Sequence, residues 1–239
     1  MENGSYITLA RQSGLMREMQ VVANNIANSN TTGYRQEGVI FSEYVQNING
    51  DASLSMGNGN VRQTSFNQGA VAETNGTFDF AIEGDGFFLI ETPNGERLTR
   101  AGAFTPNGEG ELVTMDGYRV LDQGGAPVFV PPGVKSVTVA ADGTLSVDGT
   151  LLGQIGLVVP TDPQSMRRET GVLFRADEGY EPSENGRILQ GFVERSNVEA
   201  ITQLSRMIEI QRAYELGQSF LDAEDERLRN ALQSLTKSS

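Results

Sequence analysis

The sequence contains no Cys, His or Trp among its 239 residues. Without Cys it can form no disulfide, no thiolate nucleophile and no Cys-ligated metal cluster. Without His it has no imidazole base, no Ser-His-Asp triad and no His metal site. Any catalysis has to rely on carboxylates, hydroxyls or Tyr. The composition therefore argues against an enzyme, and it implies no cofactor and no small-molecule substrate.

Basic residues are also scarce, because 18 Lys and Arg stand against 31 Asp and Glu, a net charge of −13. Nucleic-acid binding needs a clustered basic face, so we expect no nucleic-acid partner. No apolar run approaches the roughly 18 residues of a membrane-spanning helix, and the first residues do not resemble a secretory signal peptide. A hydrophobic content of only 38% indicates that part of the chain needs a partner to complete its core.

Heptad patterns at both ends of the chain predict two helices, over residues 5–30 and 196–236. Ser196 and Glu199 have the spacing of a capping box at the start of the second helix. We expect the two helices to pair with each other or with neighbouring subunits. The predicted seams consist of Leu9, Gln12, Met16, Met19, Ala23 and Ile26 in the first helix, and Ala200, Leu204, Met207, Gln211, Tyr214, Gln218, Leu221, Asp225, Leu228, Leu232 and Leu235 in the second.

The middle of the chain has the pattern of β-structure. Phe78–Ile82 alternates, Glu83–Gly86 forms a turn that we interpret as a hairpin, and Phe87–Glu91 continues as a buried strand. Repeated turns of the Asn-Gly and Asp-Gly type predict a meander or small barrel. These turns lie at Asn94-Gly95, Asn107-Gly108, Asp116-Gly117, Asp142-Gly143 and Asp148-Gly149.

The predicted fold class is α+β, with terminal heptad helices pairing as an elongated coiled-coil-like domain around a central, mainly-β domain. The predicted boundaries are 1–33 for the N-terminal helix of an axial core domain, 34–77 for an extended or loosely ordered connector, 78–190 for the central β domain and 191–239 for the C-terminal helix of the axial core domain.

Short chemical motifs carry little weight. Glu83 and Asp85 resemble a glycosidase carboxylate pair, but a turn with solvated acids explains them better, because spacing alone fixes no distance. Gly84-Asp85-Gly86 lacks the third Gly and the helix start of a phosphate loop. Residues 142–148 lack the acidic ladder of a calcium loop. We interpret Arg167-Arg168 as a solvent-facing pair on a loop.

The motif at residues 23–34, Ala-Asn-Asn-Ile-Ala-Asn-Ser-Asn-Thr-Thr-Gly-Tyr, resembles the N-terminal signature of the axial proteins of the bacterial flagellum, the rod and hook subunits. Further blocks resemble the central β-domain and the C-terminal motif of this family, in the family's order. They are Gly84–Phe88, Leu98–Phe104, Gly110–Thr114, Gln190–Val198 and Met207–Glu215.

The resemblance implies a structural rod subunit of the flagellar basal body, part of the drive shaft that transmits torque from motor to hook and filament. Compared with other members of the family, the length of this chain favours the proximal-rod subunit with a central β-domain. The distal-rod subunit is the alternative within the family. The implied partners are other rod subunits and further copies of the chain in a helical assembly. The implied location is the rod crossing the periplasm, reached through the flagellar type III export apparatus without a cleaved signal peptide.

The resemblance also marks residues for a role in assembly. Side-chain amides at the end of the first helix are expected to bond free carbonyls or a neighbouring backbone, and Gly33 is expected to adopt a positive φ. Gln211 and Gln218, on the apolar seam, are expected to fix helix register. The marked residues are Asn24, Asn25, Asn28, Thr32, Gly33, Tyr34, Gly86, Phe87, Phe88, Arg100, Gly102, Phe104, Gly191, Glu194, Ser196, Asn197, Val198, Met207, Gln211, Arg212, Ala213 and Tyr214.

Two alternatives of other classes remain open from the sequence. One is a periplasmic, carboxylate-based glycan hydrolase that uses Glu83 and Asp85. The other is an adaptor or chaperone-like module whose terminal helices hold a partner without entering a filament.

Overall fold

A computed structural model describes residues 2–46, 54–134 and 136–237. The chain divides into two compact units. Unit 1 comprises Met1–Ser29, Gln36–Phe66 and Val198–Ser239, and unit 2 comprises Asn30–Arg35 and Asn67–Asn197. Each unit therefore combines segments that are far apart in the sequence.

Unit 1 is built on two helices, α1 (Glu2–Ala27) and α2 (Ala200–Lys237). Gln12 contacts Tyr214 and Asn25 contacts Gln203, so the helices pair in antiparallel orientation. This pairing, with strands between the helices, confirms the predicted α+β class. Among the described residues, neither helix has an apolar stretch long enough to cross a membrane.

Two strands of unit 1, β1 (Glu37–Gln46) and β2 (Leu54–Thr64), form an antiparallel pair. The register shifts between Ile40 and Phe41. Both strands lie in the segment 34–77, which is predicted to be an extended or loosely ordered connector, and both are extended. The sequence did not predict that they pair, because the segment is rich in Asn, Gly and Ser and has little apolar alternation.

Unit 2 is mainly β, as predicted. Its described strands are β3 (Val71–Glu73), β4 (Phe80–Glu83), β5 (Phe87–Thr92), β6 (Gly95–Thr99), β7 (Phe104–Pro106), β8 (Leu112–Thr114), β9 (Arg119–Val120), β10 (Val137–Val139), β11 (Thr144–Val147), β12 (Thr150–Gln154), β13 (Leu157–Pro160), β14 (Met166–Arg168), β15 (Leu173–Ala176), β16 (Tyr180–Pro182), β17 (Arg187–Gln190) and β18 (Phe192–Glu194). All the predicted Asn-Gly and Asp-Gly turns lie at turns or bends between these strands.

The largest sheet of unit 2 is antiparallel and runs in the order β14-β15-β6-β5-β9-β8-β7, with β13 and β16 joined to it through β5. Strands β10, β11 and β12 form a second sheet. Two further pairs, β17 with β4 and β18 with β3, connect the last part of unit 2 to its first strands. The main core lies between these layers and includes Phe80, Phe88, Ile90, Leu112 and Ile155.

Two local predictions are wrong. The turn at Glu83–Gly86 does not close a hairpin, because β4 pairs with β17 and β5 lies in the large sheet. The second helix begins at Ala200, so Glu199 precedes its first residue and Ser196 lies too early to cap it. The first prediction fails because long-range pairing joins β4 to β17 and not to β5.

Candidate assembly site

Residues from three distant segments of the chain meet in unit 2 at the buried carboxylate of Glu194. Its Oε1 lies 2.8 Å from Nη2 of Arg35, and its Oε2 lies 3.1 Å from Nη1 of Arg100. The side chains of Arg35 and Glu194 are each only 1% exposed, and that of Arg100 is 5% exposed. One carboxylate therefore bridges two guanidinium groups that come from distant parts of the chain.

Backbone groups complete this ion cluster. Glu194 Oε1 also accepts a hydrogen bond from the Gly69 amide at 3.0 Å. Arg100 donates to the carbonyls of Ile82 at 3.3 Å and Gly84 at 2.7 Å, and Arg35 donates to the carbonyl of Asn67. Among the described residues, the buried Nε atoms of Arg35 and Arg100 have no hydrogen-bond partner. The cluster is thus held together mainly by polar contacts.

Burial has a strong effect on both cations. Burial lowers the pKa of Arg35 to about 10, and the Glu194 carboxylate opposes this shift while the neighbouring Arg100 adds to it. Burial also lowers the pKa of Arg100, again opposed by Glu194 and, more weakly, by Asp85. Both arginines are cations at neutral pH, so the cluster carries two positive charges against one carboxylate and depends on Glu194.

Two glycines let the backbone approach this cluster closely. Gly33 has a φ of 70°, and a Cβ at this position would lie 2.2 Å from the Ala101 amide nitrogen. Its own amide donates to the Glu194 carbonyl at 2.8 Å. A Cβ at Gly102 would lie 1.8 Å from the Phe80 carbonyl oxygen. Both positions exclude every side chain, and Gly33 has the predicted positive φ.

Tyr34 packs against Arg168, a residue that the sequence pattern placed on a solvent-facing loop. The guanidinium of Arg168 lies 4.4 Å from the centre of the Tyr34 ring and 4.8 Å from that of Phe174, and it also donates to the Arg35 carbonyl. The prediction that Arg168 faces solvent on a loop is wrong. It lies in strand β14, where neighbouring side chains point to opposite faces, and only Arg167 is exposed.

The aromatic residues of the central motif form the core beside the cluster. Phe88 and Phe104 pack edge to face with ring centres 5.2 Å apart, and the Arg100 guanidinium lies 5.2 Å from the Phe87 ring centre. Gly86 has a φ of 139°, and a Cβ there would lie 3.0 Å from Leu157. Of these aromatic residues, Phe87 contacts Arg100 directly.

The C-terminal motif continues along the same segment of unit 2. Asn197 donates to the Asn67 carbonyl at 2.8 Å from its side chain and to the Tyr34 carbonyl at 3.3 Å from its backbone. The Gly191 carbonyl accepts from the amides of Thr74 and Asn75. Three remaining motif residues have less direct roles: Thr32 lies half-buried in the turn after α1, Ser196 is half-buried, and Val198 is buried in unit 1.

A second polar centre lies in unit 1 at Asn25. Its side-chain Nδ2 donates to the Glu37 carbonyl at 2.7 Å and to Gln203 Oε1 at 3.1 Å, and its Oδ1 accepts from the Glu37 amide at 3.0 Å. Asn25 thus joins α1, β1 and α2. Asn28 closes the end of α1 by donating to the Asn24 carbonyl at 2.9 Å, whereas the Asn24 side chain is exposed.

Replacing Asn25 with Leu is expected to reduce the free energy of unfolding by about 3 kcal/mol, because three buried polar groups lose a hydrogen bond. The matched control is Asn24→Leu at the exposed neighbouring position, with an expected change within about 0.5 kcal/mol. Urea unfolding of the purified chain measures both. Equal effects of the two substitutions would show that Asn25 does not hold unit 1 together.

Further polar contacts join α1 to α2. Gln12 Nε2 donates to the Tyr214 carbonyl at 3.0 Å, and Arg206 lies 2.6 Å from Glu18. A Cβ at Gly217 would lie 2.5 Å from the Gln12 side chain, so the helices approach closely there. A groove of about 390 Å³ lies beside this contact. Its lining consists of Ile7, Thr8, Arg11, Gln12, Leu15, Ala213, Leu216, Gly217 and Phe220.

Each predicted helix seam is divided between two faces. In α2, Met207 and Tyr214 are half-buried towards α1, as is Ala213 beside them, whereas Gln211, Gln218 and Arg212 are exposed. In α1, Gln12 is buried, whereas Leu9 and Met16 are exposed. The outer face of α2 carries a row of exposed apolar residues, which we call the outer stripe. It consists of Ile201, Leu204 and Ile208.

The sequence did not point to several residues that organise these centres. Arg35 directly follows the recognised N-terminal motif, and Gln203 lies between two seam positions of α2. The available signal for Arg35 was its positive charge next to a turn, in a chain that is acidic overall. Among the described residues, no group of three or more carboxylates is arranged to hold a metal ion.

Comparisons with known proteins agree with this arrangement. Family models match the chain for "Flagella basal body rod protein" at residues 9–35, "Flagellar hook protein FlgE/F/G D1 domain" at 81–147 and "Flagellar basal body rod FlgEFG protein C-terminal" at 189–234. Each match contributes residues to the centres described above.

Relatives match over most of the chain. A flagellar basal-body rod protein FlgF from Caulobacter vibrioides is 39% identical over 245 residues, with 99% of both chains covered. FlgF from Mesorhizobium japonicum is 38% identical, with 90% of both covered. FlgG from Bacillus subtilis is 31% identical, covering 93% of this chain and 95% of its own. The chain therefore belongs to the flagellar basal-body rod protein family.

Proposed function

We propose that this chain is a structural subunit of the proximal rod, within the drive shaft that carries torque from the motor to the hook and filament. The observation that carries the proposal is the outer stripe of α2. One face of α2 pairs with α1, and three large apolar residues on another face, Ile201, Leu204 and Ile208, are about half exposed or more. An apolar face of this kind is typical of a surface that a partner buries.

The geometry fits a helical filament. Such a filament needs two different complementary surfaces on each subunit, because its contacts are heterologous and do not close. The outer stripe and the exposed seam positions of α1, Leu9 and Met16, provide apolar surfaces on two different helices. In this proposal residues 1–33 and 191–239 contribute the axial core, and residues 78–190 form the β domain.

The proposal also covers the partners of the chain and the route by which it reaches the rod. Other rod subunits and further copies of the chain pack on the outer stripe, and the flagellar type III export apparatus delivers the chain to the periplasmic rod. An exported chain without Cys forms no cross-link on the way. The similarity to proteins named FlgF over nearly the whole chain favours the proximal over the distal position.

Complementation tests the function directly. In Caulobacter vibrioides, separate deletions of the genes for its FlgF and its FlgG give two recipient strains. Expression of this chain is expected to restore swimming and complete basal bodies, seen by electron microscopy, in the first strain and not in the second. Rescue of only the second strain would identify a distal subunit, and rescue of neither would contradict the proposal.

A second experiment separates a rod subunit from an adaptor. Basal bodies purified from rescued cells are expected to contain the chain as an integral component. A chain that restores swimming but is absent from purified basal bodies would favour the adaptor, since an adaptor does not enter the filament.

A further inference from the structure

The last segment of unit 2, residues 191–197, closes over the start of the unit, and we call it the strap. It contains β18, which pairs with β3 in a separate two-stranded sheet. No described strap residue belongs to either hydrophobic core of the unit. The closure of the strap therefore depends on polar contacts, whereas the large sheet depends on buried apolar side chains.

The strap is the place where the N-terminal motif docks. Gly33 donates to the Glu194 carbonyl at 2.8 Å, and the Tyr34 carbonyl accepts from the Asn197 amide at 3.3 Å. Arg35 lies 2.8 Å from the Glu194 carboxylate. The strap therefore contacts all three residues 33–35, in addition to the contacts of Tyr34 and the Arg35 carbonyl with Arg168, and Glu194 makes two of the three strap contacts.

Glu194 differs from the other strap residues because it neutralises two buried cations. Among the described residues, it is the only carboxylate within ion-pair distance of Arg35 or Arg100. Without it, both guanidinium groups would remain in a low-dielectric site with an unbalanced charge, which is far more costly than a lost surface contact. An open strap instead leaves both arginines free to reach water.

We propose that Glu194 is a latch that controls a closed and an open conformer of unit 2. In the closed conformer the strap and residues 33–35 are docked. In the open conformer both are released while the large sheet stays folded. Because Arg35 and Arg100 precede Glu194 in the chain, the ion cluster can form only after the C-terminal segment has become available. This inference rests on unit 2 alone and is independent of the assignment to the rod.

Hydrogen exchange of the full-length chain with Glu194→Gln tests the latch, because Gln keeps the shape of Glu but not its charge. The amides of Gly33 and Gly69 both donate to Glu194. Their exchange is expected to accelerate by about 100-fold or more, as for a broken buried ion pair. The amides of β5 are expected to keep their protection, because β5 pairs with β6, β9 and β13 and not with the strap.

The matched control is Glu91→Gln, which removes the carboxylate of an exposed ion pair with Arg119 at 3.4 Å. It is expected to leave the exchange rates of the Gly33 and Gly69 amides unchanged.

Trypsin provides a second measurement, because it cleaves after Arg35 and Arg100. Both sites are buried in the closed conformer and are expected to become sensitive in Glu194→Gln but not in the control.

A double variant separates charge from simple contact. Adding Arg100→Gln to Glu194→Gln restores the wild-type excess of one positive charge, so it is expected to slow exchange again relative to Glu194→Gln alone. If the double variant opens further than the single variant, Glu194 is an ordinary structural contact and the latch is overturned. Equal acceleration at Gly33, Gly69 and β5 in Glu194→Gln also overturns it, as does no acceleration at all.

Discussion

Replacing Gly33 with Ala is expected to abolish swimming and to release the N-terminal motif from unit 2. The substitution has two costs at this position. The φ of 70° disfavours any L side chain, and the new Cβ would lie 2.2 Å from the Ala101 nitrogen, which belongs to the backbone and cannot move aside easily. We expect a loss of at least about 3 kcal/mol in the free energy of unfolding, measured by urea denaturation.

Gly149→Ala is the matched control for Gly33→Ala. Gly149 has a φ of 82°, but nothing lies within 4 Å of a Cβ built there. This variant isolates the cost of the positive φ, expected to be about 1 kcal/mol, and it should retain swimming. If both variants lose the same stability, the close approach to Ala101 contributes nothing, and normal motility of Gly33→Ala would count against a role of this turn in assembly.

Replacing Leu204 and Ile208 together with Glu is expected to prevent rod assembly without unfolding the subunit. Both side chains are about half exposed on the outer stripe, so two carboxylates there cost little in the single chain. In the assembly, the same carboxylates would be buried without a partner, which is strongly unfavourable. The expected result is non-motile cells without complete rods, together with a urea-unfolding free energy within about 0.5 kcal/mol of the wild type.

The control for the outer stripe changes the same positions but keeps them apolar, as Leu204→Met with Ile208→Leu. It should assemble normally, since Met and Leu fill similar volumes in an apolar contact. Motile cells carrying the Glu variant would show that the outer stripe stays exposed in the assembled rod. A large loss of stability in the purified Glu variant would show that the stripe is part of the subunit's own core.

The sequence predicted the architecture well, because periodicity and turn residues are local signals. Heptad spacing located both helices, and the Asn-Gly and Asp-Gly pairs located the turns between strands. It could not predict which strands pair. The interpretation of Glu83–Gly86 as a hairpin is wrong, since β4 pairs with β17, about a hundred residues later in the chain.

The Glu194 ion cluster and the pairing face of α2 could be predicted only in part, because the sequence does not show which distant residues come together. The motifs named Gly33, Arg100 and Glu194 separately, but nothing in the sequence indicated that one carboxylate joins two arginines. The heptad pattern likewise could not separate the face of α2 that meets α1 from the outer stripe, because the predicted seam combines Tyr214, half-buried towards α1, with Leu204 of the outer stripe.

The hydrogen bond between the Gly33 amide and the Glu194 carbonyl has a consequence for the order of folding. Unit 1 joins residues as far apart as Gln12 and Tyr214, which are 202 positions apart. Once Gly33 and Glu194 are held 2.8 Å apart, the effective loop between those helix positions shrinks to roughly 40 residues. The shorter loop lowers the entropic cost of helix pairing by about 1.4 kcal/mol. If unit 2 folds first, the helices of unit 1 therefore pair at a lower entropic cost than in a chain without that contact.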